Sequence, residues 1–418
     1  MKAHAARAVA AGMPPRPEES MCSWLRRLAV HQAVPIADLL RRIGIESGSA
    51  GLGDLSTWLP VRTRKRLSAF TGVEEQRIDG LLLGRYHSTV LDLRSSFPRR
   101  YRLSRVTMLP LFVRNRLRLL PWDREESLAE GRQTDGRWLR HSRYCPKCLV
   151  EDGGVWRISW RLGGTFVCVN HGVLLCEQCP ACGGFVGQDD VGAESGARLT
   201  ASQLLECGNR IASSGGVCRQ RLDDSPTVQV PQTVIEVQRL FLGAAEGGDM
   251  MLAGQRLTAS AWATLYDVMI RLARDAAEYE PDLYLDPDVV GLVEDPGRRR
   301  EPMEGGLRPY RCPYSLTDGL PRSPARMAVA AAVVAPAFSF ESVEAVDGAL
   351  ASLAWDTYGH QARDLSSYIT AQFPVKRSSA LLWFSIHRHL WQEESVDLDA
   401  DGFILPSMRV LAARIGSP

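Results

Sequence analysis

Eight of the ten cysteines fall between Cys145 and Cys218, leaving only Cys22 and Cys312 outside, and this clustering constrains the fold more than any other feature. Cys145-Pro-Lys-Cys148 is followed, after nineteen residues, by Cys168-Val-Asn-His171. A two-residue gap turns the chain tightly enough to aim two ligand atoms at one ion. Two such knuckles complete a tetrahedron of three sulfurs and one nitrogen, the donor set of structural zinc. With all four positions filled by protein, no coordination site is left for a reactive water, which argues against a zinc hydrolase.

A second site begins at Cys179-Pro-Ala-Cys182-Gly-Gly, shaped like a zinc-ribbon knuckle. The later cysteines nearby are Cys207 and Cys218, whose ten-residue gap holds Gly208, Gly215 and Gly216 and suits a hairpin loop. Cys176 offers an alternative, because Cys176-Glu-Gln-Cys179 is also a two-residue knuckle. Cys179, Cys182, Cys207 and Cys218 are preferred, since otherwise Cys182 goes unused in its turn-forming setting. The expectation is two structural zinc ions. Between the knuckles of the first site, Trp156 and Trp160 fit one face of a strand or of a helix, and pattern does not decide which. Either way they are expected to pack on the metal module, with Arg157 and Arg161 exposed.

A chain of 418 residues exceeds the usual size of one core. The expected fold is mainly α: a basic helix-turn-helix-like domain over residues 1–125, a tandem zinc module over 126–222 and an all-helical C-terminal domain over 223–418. Hydrophobic residues make up 45% of the chain, as in globular proteins, so disorder throughout is excluded. The net charge of +2 conceals an asymmetry: residues 1–120 carry 21 Lys+Arg against 9 Asp+Glu, so the remainder is acidic. Between Leu93 and Leu120, Arg94, Arg99, Arg100, Arg102, Arg105, Arg114, Arg116 and Arg118 occur with no acid, interleaved with Phe97, Tyr101 and Phe112. Arginine with aromatics can track a nucleic-acid backbone and stack on bases, although a solvated face or an acidic partner suits the same residues.

From Glu18, Met21, Trp24, Leu25 and Leu28 recur at helical spacing, with Arg26 and Arg27 expected to face away. A second helix is expected from Pro35 through Leu39, Leu40 and Ile43 to Gly44. Leu67, Gly72, Val73, Ile78 and Leu82 repeat the unit, and in both the valine comes six residues after the leading leucine (Leu28 to Val34, Leu67 to Val73). That is helix-turn-helix geometry, shared by many small bundles that never touch DNA.

Together these segments resemble the TniQ family. Pro17-Glu-Glu-Ser-Met-Cys-Ser-Trp-Leu-Arg-Arg-Leu-Ala29 is similar to that family's opening motif. Arg143-Tyr-Cys-Pro-Lys-Cys148, Trp156-Arg-Ile-Ser-Trp-Arg-Leu162, Cys168-Val-Asn-His-Gly-Val-Leu-Leu175 and Cys179-Pro-Ala-Cys-Gly183 follow in its order, and the likeness extends to about residue 222. The resemblance implies a non-enzymatic adaptor in DNA transposition. Such an adaptor links a target-recognition module, in some systems a CRISPR effector, to an AAA+ ATPase that recruits the transposase, and in some systems it acts as a dimer. Whether such a protein touches DNA itself is left open.

In the C-terminal half, Val234 to Leu242, Trp262 to Ala273, Met327 to Ala335 and Ala380 to Trp391 read as helices between polar loops. His387 and His389, two apart, face different directions on a helix and make a poor metal pair. The Ala/Val run at Met327 is too short to cross a bilayer and reads as a buried helix. The N-terminus lacks a leucine-rich signal core, so the expected location is the cytoplasm, where clustered cysteines favour metal over disulfides. No P-loop, nucleophile elbow or open metal site supports an enzyme. The competing reading is a zinc-containing helix-turn-helix transcription regulator that binds operator DNA alone.

Overall fold

The computed structural model describes residues 13–44, 59–87, 89–91, 141–187, 198–209, 211, 216–259 and 323–342, with residues 262, 263, 265–267, 269, 270, 273, 345, 346 and 349. The arginines from Arg94 to Arg118, Cys312 and the stretch from Ala380 to Trp391 lie outside the described residues. The described chain is rich in helix, with two short antiparallel strand pairs.

Helix α1 (Met21–His31) is capped by Ser20, whose side chain accepts from the Ser23 amide at 3.3 Å. It ends on Ala33, a non-glycine residue in the left-handed region at φ 51°. The Ala33 amide donates to the Val30 carbonyl at 3.0 Å and the Val34 amide to the Ala29 carbonyl at 3.1 Å, which is a Schellman cap. The chain then enters α2 (Ile36–Arg42), one residue after the expected proline. Helix α3 (Val61–Thr71) ends on Gly72 at φ 75°, its amide donating to the Ser68 carbonyl at 2.8 Å, and leads into α4 (Glu75–Asp79). The repeated valine thereby acquires a physical cause. In each unit it follows the left-handed residue and packs back on the core of Trp24, Leu25, Leu28, Leu39, Leu67 and Ile78.

The expectation that Arg26 and Arg27 face solvent is overturned. All of α1 from Met21 to Ala29 is buried, because its second face meets the metal module. Arg26 donates to the Gln203 carbonyl at 2.9 Å, and Arg27 pairs with Glu19 at 2.6 Å. Periodicity in one helix reports which face is apolar, not whether the other is also covered.

The metal module packs Tyr144, Leu149, Trp156, Trp160, Val173 and Leu222 around the clustered cysteines. Within it lie α5 (Pro146–Glu151) and the pair β1 (Val167–Cys168) and β2 (Val173–Leu174), in register Val167↔Leu174 and Cys168↔Val173. A larger apolar cluster joins Leu83, Tyr86 and Leu91 to Ile158, Phe166 and Val167, and to Val234, Phe241, Trp262, Tyr266, Met327 and Val334. Helix α6 (Gln232–Ala245) and the buried helix α7 (Pro324–Val334) supply much of it. An unanticipated hairpin, β3 (Met250–Leu252) with β4 (Gln255–Leu257), interrupts the all-helical expectation. Its two-residue turn places Ala253 and Gly254 at φ 53° and 71°, as a type I′ turn demands. Among the described residues no helix is long and apolar enough to cross a membrane.

Candidate metal centres

Each metal knuckle is built by local backbone chemistry. Pro146 opens α5 directly after Cys145, and the helical turn places Cys148 three residues on, beside it. The second half of the first cluster is the β1–β2 turn. The amides of His171 and Gly172 both donate to the Cys168 carbonyl, at 3.2 and 2.8 Å, and Gly172 takes φ 63° to complete the bend. The ligand atoms of Cys145, Cys148, Cys168 and His171 converge within 4.8 Å of one another. His171 presents Nδ1, 3.4 Å from the Cys145 sulfur, 3.3 Å from Cys148 and 3.4 Å from Cys168. A tetrahedron with Zn–S bonds of about 2.3 Å has edges of about 3.8 Å, so the donor spacing suits an ion of that size.

Glu151, which sequence reasoning missed, faces the outer nitrogen of this histidine. His171 Nε2 lies 2.9 Å from Glu151 Oε1, so the carboxylate holds the tautomer that leaves Nδ1 free for metal. The available signal was position: Glu151 follows Cys148 by three residues on one helix. In the ion-free cluster, hydrogen bonds from Cys145 and Cys148 pull the Cys168 thiol far down, and Cys148 is pushed up by Cys145, Cys168 and burial. Cys145 is drawn down by Cys148, but hydrogen bonding to Cys168 and burial outweigh this and push it up to about 11.

The second cluster brings together Cys179, Cys182, Cys207 and Cys218, again within 4.8 Å. The Cys179–Cys218 and Cys182–Cys207 sulfur pairs lie 3.8 and 3.9 Å apart, near the same tetrahedral edge. Gly183 at φ 65° closes its first knuckle, donating to the Cys179 carbonyl at 2.9 Å. Cys207 and Cys218 sit on a ladder in which Leu222 donates to Leu205, Cys207 to Gln220 and Cys218 to Asn209. Asn209 Nδ2 donates to the Cys182 sulfur at 3.6 Å, through space that a Cβ on Gly184 would fill. Cys176 is not among these donors. Its backbone exchanges two 2.8 Å hydrogen bonds with Tyr144, and its thiol faces the Pro226 carbonyl at 3.7 Å. Among the described residues every cysteine is free of disulfide bonds.

The two clusters share one framework. Arg143, fully buried, donates to the carbonyls of Gly163 and Thr165 at 3.0 and 2.5 Å and lies 3.6 Å from Glu177, between the two sites. Trp156 and Trp160 are buried against the cysteines, with ring centroids 6.2 Å apart, around a 3-10 turn (Ile158–Arg161). The neighbouring arginines are not free, contrary to expectation. Arg161 is buried, and Arg157 pairs with Glu18 at 3.4 Å and Asp152 at 3.2 Å. Arg157 lies where the module meets the segment leading into α1.

A family model described as TniQ matches residues 11–175. Over that span the chain is similar to the TniQ family. No curated protein and no solved structure matches the chain. The TniQ span takes in α1 to α5 and all four donors of the first cluster, and ends before Cys179.

The TniQ opening motif also gains a structural role. The Ser20 amide donates to the Trp156 carbonyl at 2.8 Å, the Ile158 amide to the Glu18 carbonyl at 2.8 Å, and the Trp156 amide to Ser23 Oγ at 3.1 Å. Glu19 accepts from the Arg16 amide, from Ser23 Oγ and from Arg27. Glu19 and Ser20 are thus the joint that fastens the helical region to the first metal module.

Proposed function

We propose that this protein is a non-enzymatic adaptor in DNA transposition, linking a target-recognition module to an AAA+ ATPase that recruits the transposase. The observation that carries the reading is the TniQ match, which spans the helical repeat, the joint and the first donor cluster as one continuous unit. The metal in each cluster is proposed to be zinc. Sulfur-rich sets of four protein donors suit zinc and supply folding free energy rather than a reactive centre. A cytoplasmic location, partnership with an RNA-guided effector and homodimerisation belong to the same proposal.

The competing operator-binding regulator would need a second helix that enters a major groove. In the second unit that helix, α4, carries Glu75 and Asp79, and both are engaged by Arg64 of α3 at 2.9 and 2.7 Å. Carboxylates on a reading helix repel phosphates, which favours the adaptor. The test is co-purification of the intact protein with an AAA+ transposition ATPase from the same cells, after nuclease treatment. Retention of the ATPase is expected. Failure to retain it, with tight binding to one promoter sequence instead, would replace the adaptor by the regulator.

A further inference from the structure

Since α1 is buried from Met21 to Ala29, the open surface of the N-terminal helical region is contributed mainly by α2, α3 and α4. On α3, Arg62, Lys65 and Arg66 are exposed at positions that share one helical face, each within about 6 Å of the next turn's side chain. Helix α3 contains no acidic residue. On α4, Glu75 and Asp79 are turned to Arg64. Helix α2 ends against this face: a Cβ on Gly44 would collide with Arg66 Nη1, so Arg66 rests on the chain just beyond Arg42. Arg42 is exposed there too, while the adjoining Arg41 is paired with Asp38. Arg42, Arg62, Lys65 and Arg66 form a continuous cationic face with no acidic partner among the described residues.

We propose that this face of α2 and α3 binds the phosphate backbone of duplex DNA without reading sequence. An acidic protein partner would be expected to bury an aromatic or aliphatic anchor at the centre of its contact. Here the large apolar side chain exposed on α3 is Val61, at the helix start and not amid the cations. Phosphates need only charge, which this face supplies at a spacing of one helical turn. The face lies outside the arginines from Arg94 to Arg118, and three of its four cations stand on α3, the first helix of the second unit, with Arg42 at the last residue of α2, so it does not use helix-turn-helix readout. The choice of DNA rests on the transposition reading, whereas the phosphate-binding face would stand if the ATPase link failed.

The test measures binding of the full chain to a fluorescent random-sequence DNA duplex, and to an RNA duplex of the same sequence, across a salt series. One variant is R62Q/K65Q/R66Q. A second, R42Q/R62Q/K65Q, leaves Arg66 packed on Gly44 in case the first disturbs the fold. A control, R219Q/R221Q, removes exposed cations from the second metal hairpin. For DNA, each α2–α3 variant is expected to lower the slope of log affinity against log salt by about 2.7, at about 0.9 for each phosphate no longer neutralised. The control should keep the parent slope, and ATPase capture should be unchanged. The parent slope persisting in both folded α2–α3 variants would overturn the proposal. So would a loss confined to RNA, or a loss of ATPase capture with DNA binding intact.

Discussion

Glu19 and Arg27 meet at 2.6 Å with the Glu19 carboxylate wholly out of solvent, one residue before the α1 cap and two turns into the helix. Removing one partner strands the other charge at the joint with the metal module. Glu19→Ala and Arg27→Ala are each expected to lower stability by about 3–5 kcal/mol in denaturant titration. The double replacement Glu19→Leu with Arg27→Met should cost less than the two single changes combined, because no buried charge remains. Additive losses would show that the pair is not what holds this joint.

Two metal ions per chain are expected from elemental analysis of the purified protein. Cys148→Ser should remove one and Cys207→Ser the other, while Cys176→Ala keeps both, since its thiol faces Pro226 instead of a donor cluster. A Cys176 variant that loses metal would displace the second donor set. Because structural zinc lends on the order of 10 kcal/mol to small modules, chelation should unfold the module, with loss of near-UV signal from Trp156 and Trp160.

Glu151→Ala should weaken metal at the first cluster by about 10–100-fold in chelator competition, by releasing the His171 tautomer. Glu151→Gln, which still accepts a hydrogen bond, should recover part of that loss. The metal count at saturation should stay at two in both variants, separating an orienting group from a ligand.

Metal affinity at the first cluster should rise with pH. Without metal, Cys145 keeps its proton up to about 11 and Cys148 is also pushed up, so binding must expel these protons and is favoured as they become scarcer. In the metal-bound fold the thiols are held below their unfolded values, so the stability lent by metal is present at high pH and lost as pH falls. Burial draws the His171 imidazole down, but hydrogen bonds to Glu151 and Cys168 outweigh it and raise the value, which adds proton competition on the acid side. Chelator titrations at several pH values would read the slope. A flat profile would contradict the donor set.

Ala33 and Gly72 occupy equivalent left-handed positions, so their substitutions should have opposite signs. Gly72→Ala meets no atom within 4 Å, and its cost of about 1 kcal/mol should come from φ alone. Ala33→Gly should relieve part of a similar strain and stabilise by about 0.5 kcal/mol. Thermal melts that rank the two the other way would count against the caps as the basis of the repeat.

The donor knuckles were legible in the sequence because their geometry is local: two ligands separated by two residues can hardly avoid one another. The repeat was legible for the same reason, since caps are written within six residues. Glu151 was not, because an exposed glutamate has no signature until the imidazole it faces is placed. Arg26, Arg27 and Arg161 were misread for a related reason. Polarity suggests solvent, yet all three are buried, Arg26 against the Gln203 carbonyl far along the chain and Arg27 against Glu19, and no pattern within a helix announces that. The hairpin after α6 was hidden by a turn spelled Ala253-Gly254 rather than with asparagine or aspartate.

Gln238, fully buried on α6, accepts from the amides of Phe166 and Val167 at 2.7 and 3.1 Å and donates to the Gly164 carbonyl at 3.3 Å. These backbone groups lead directly into Cys168. A fragment cut where the recognisable TniQ stretch stops would leave three of them buried without their partner, beside an apolar surface stripped of Val234 and Phe241. The stretch that is similar to the family is therefore smaller than the stretch that packs as a unit. A piece exchanged without α6 would leave the β1 strand beneath the first donor cluster without the Gln238 bonds that hold its entry.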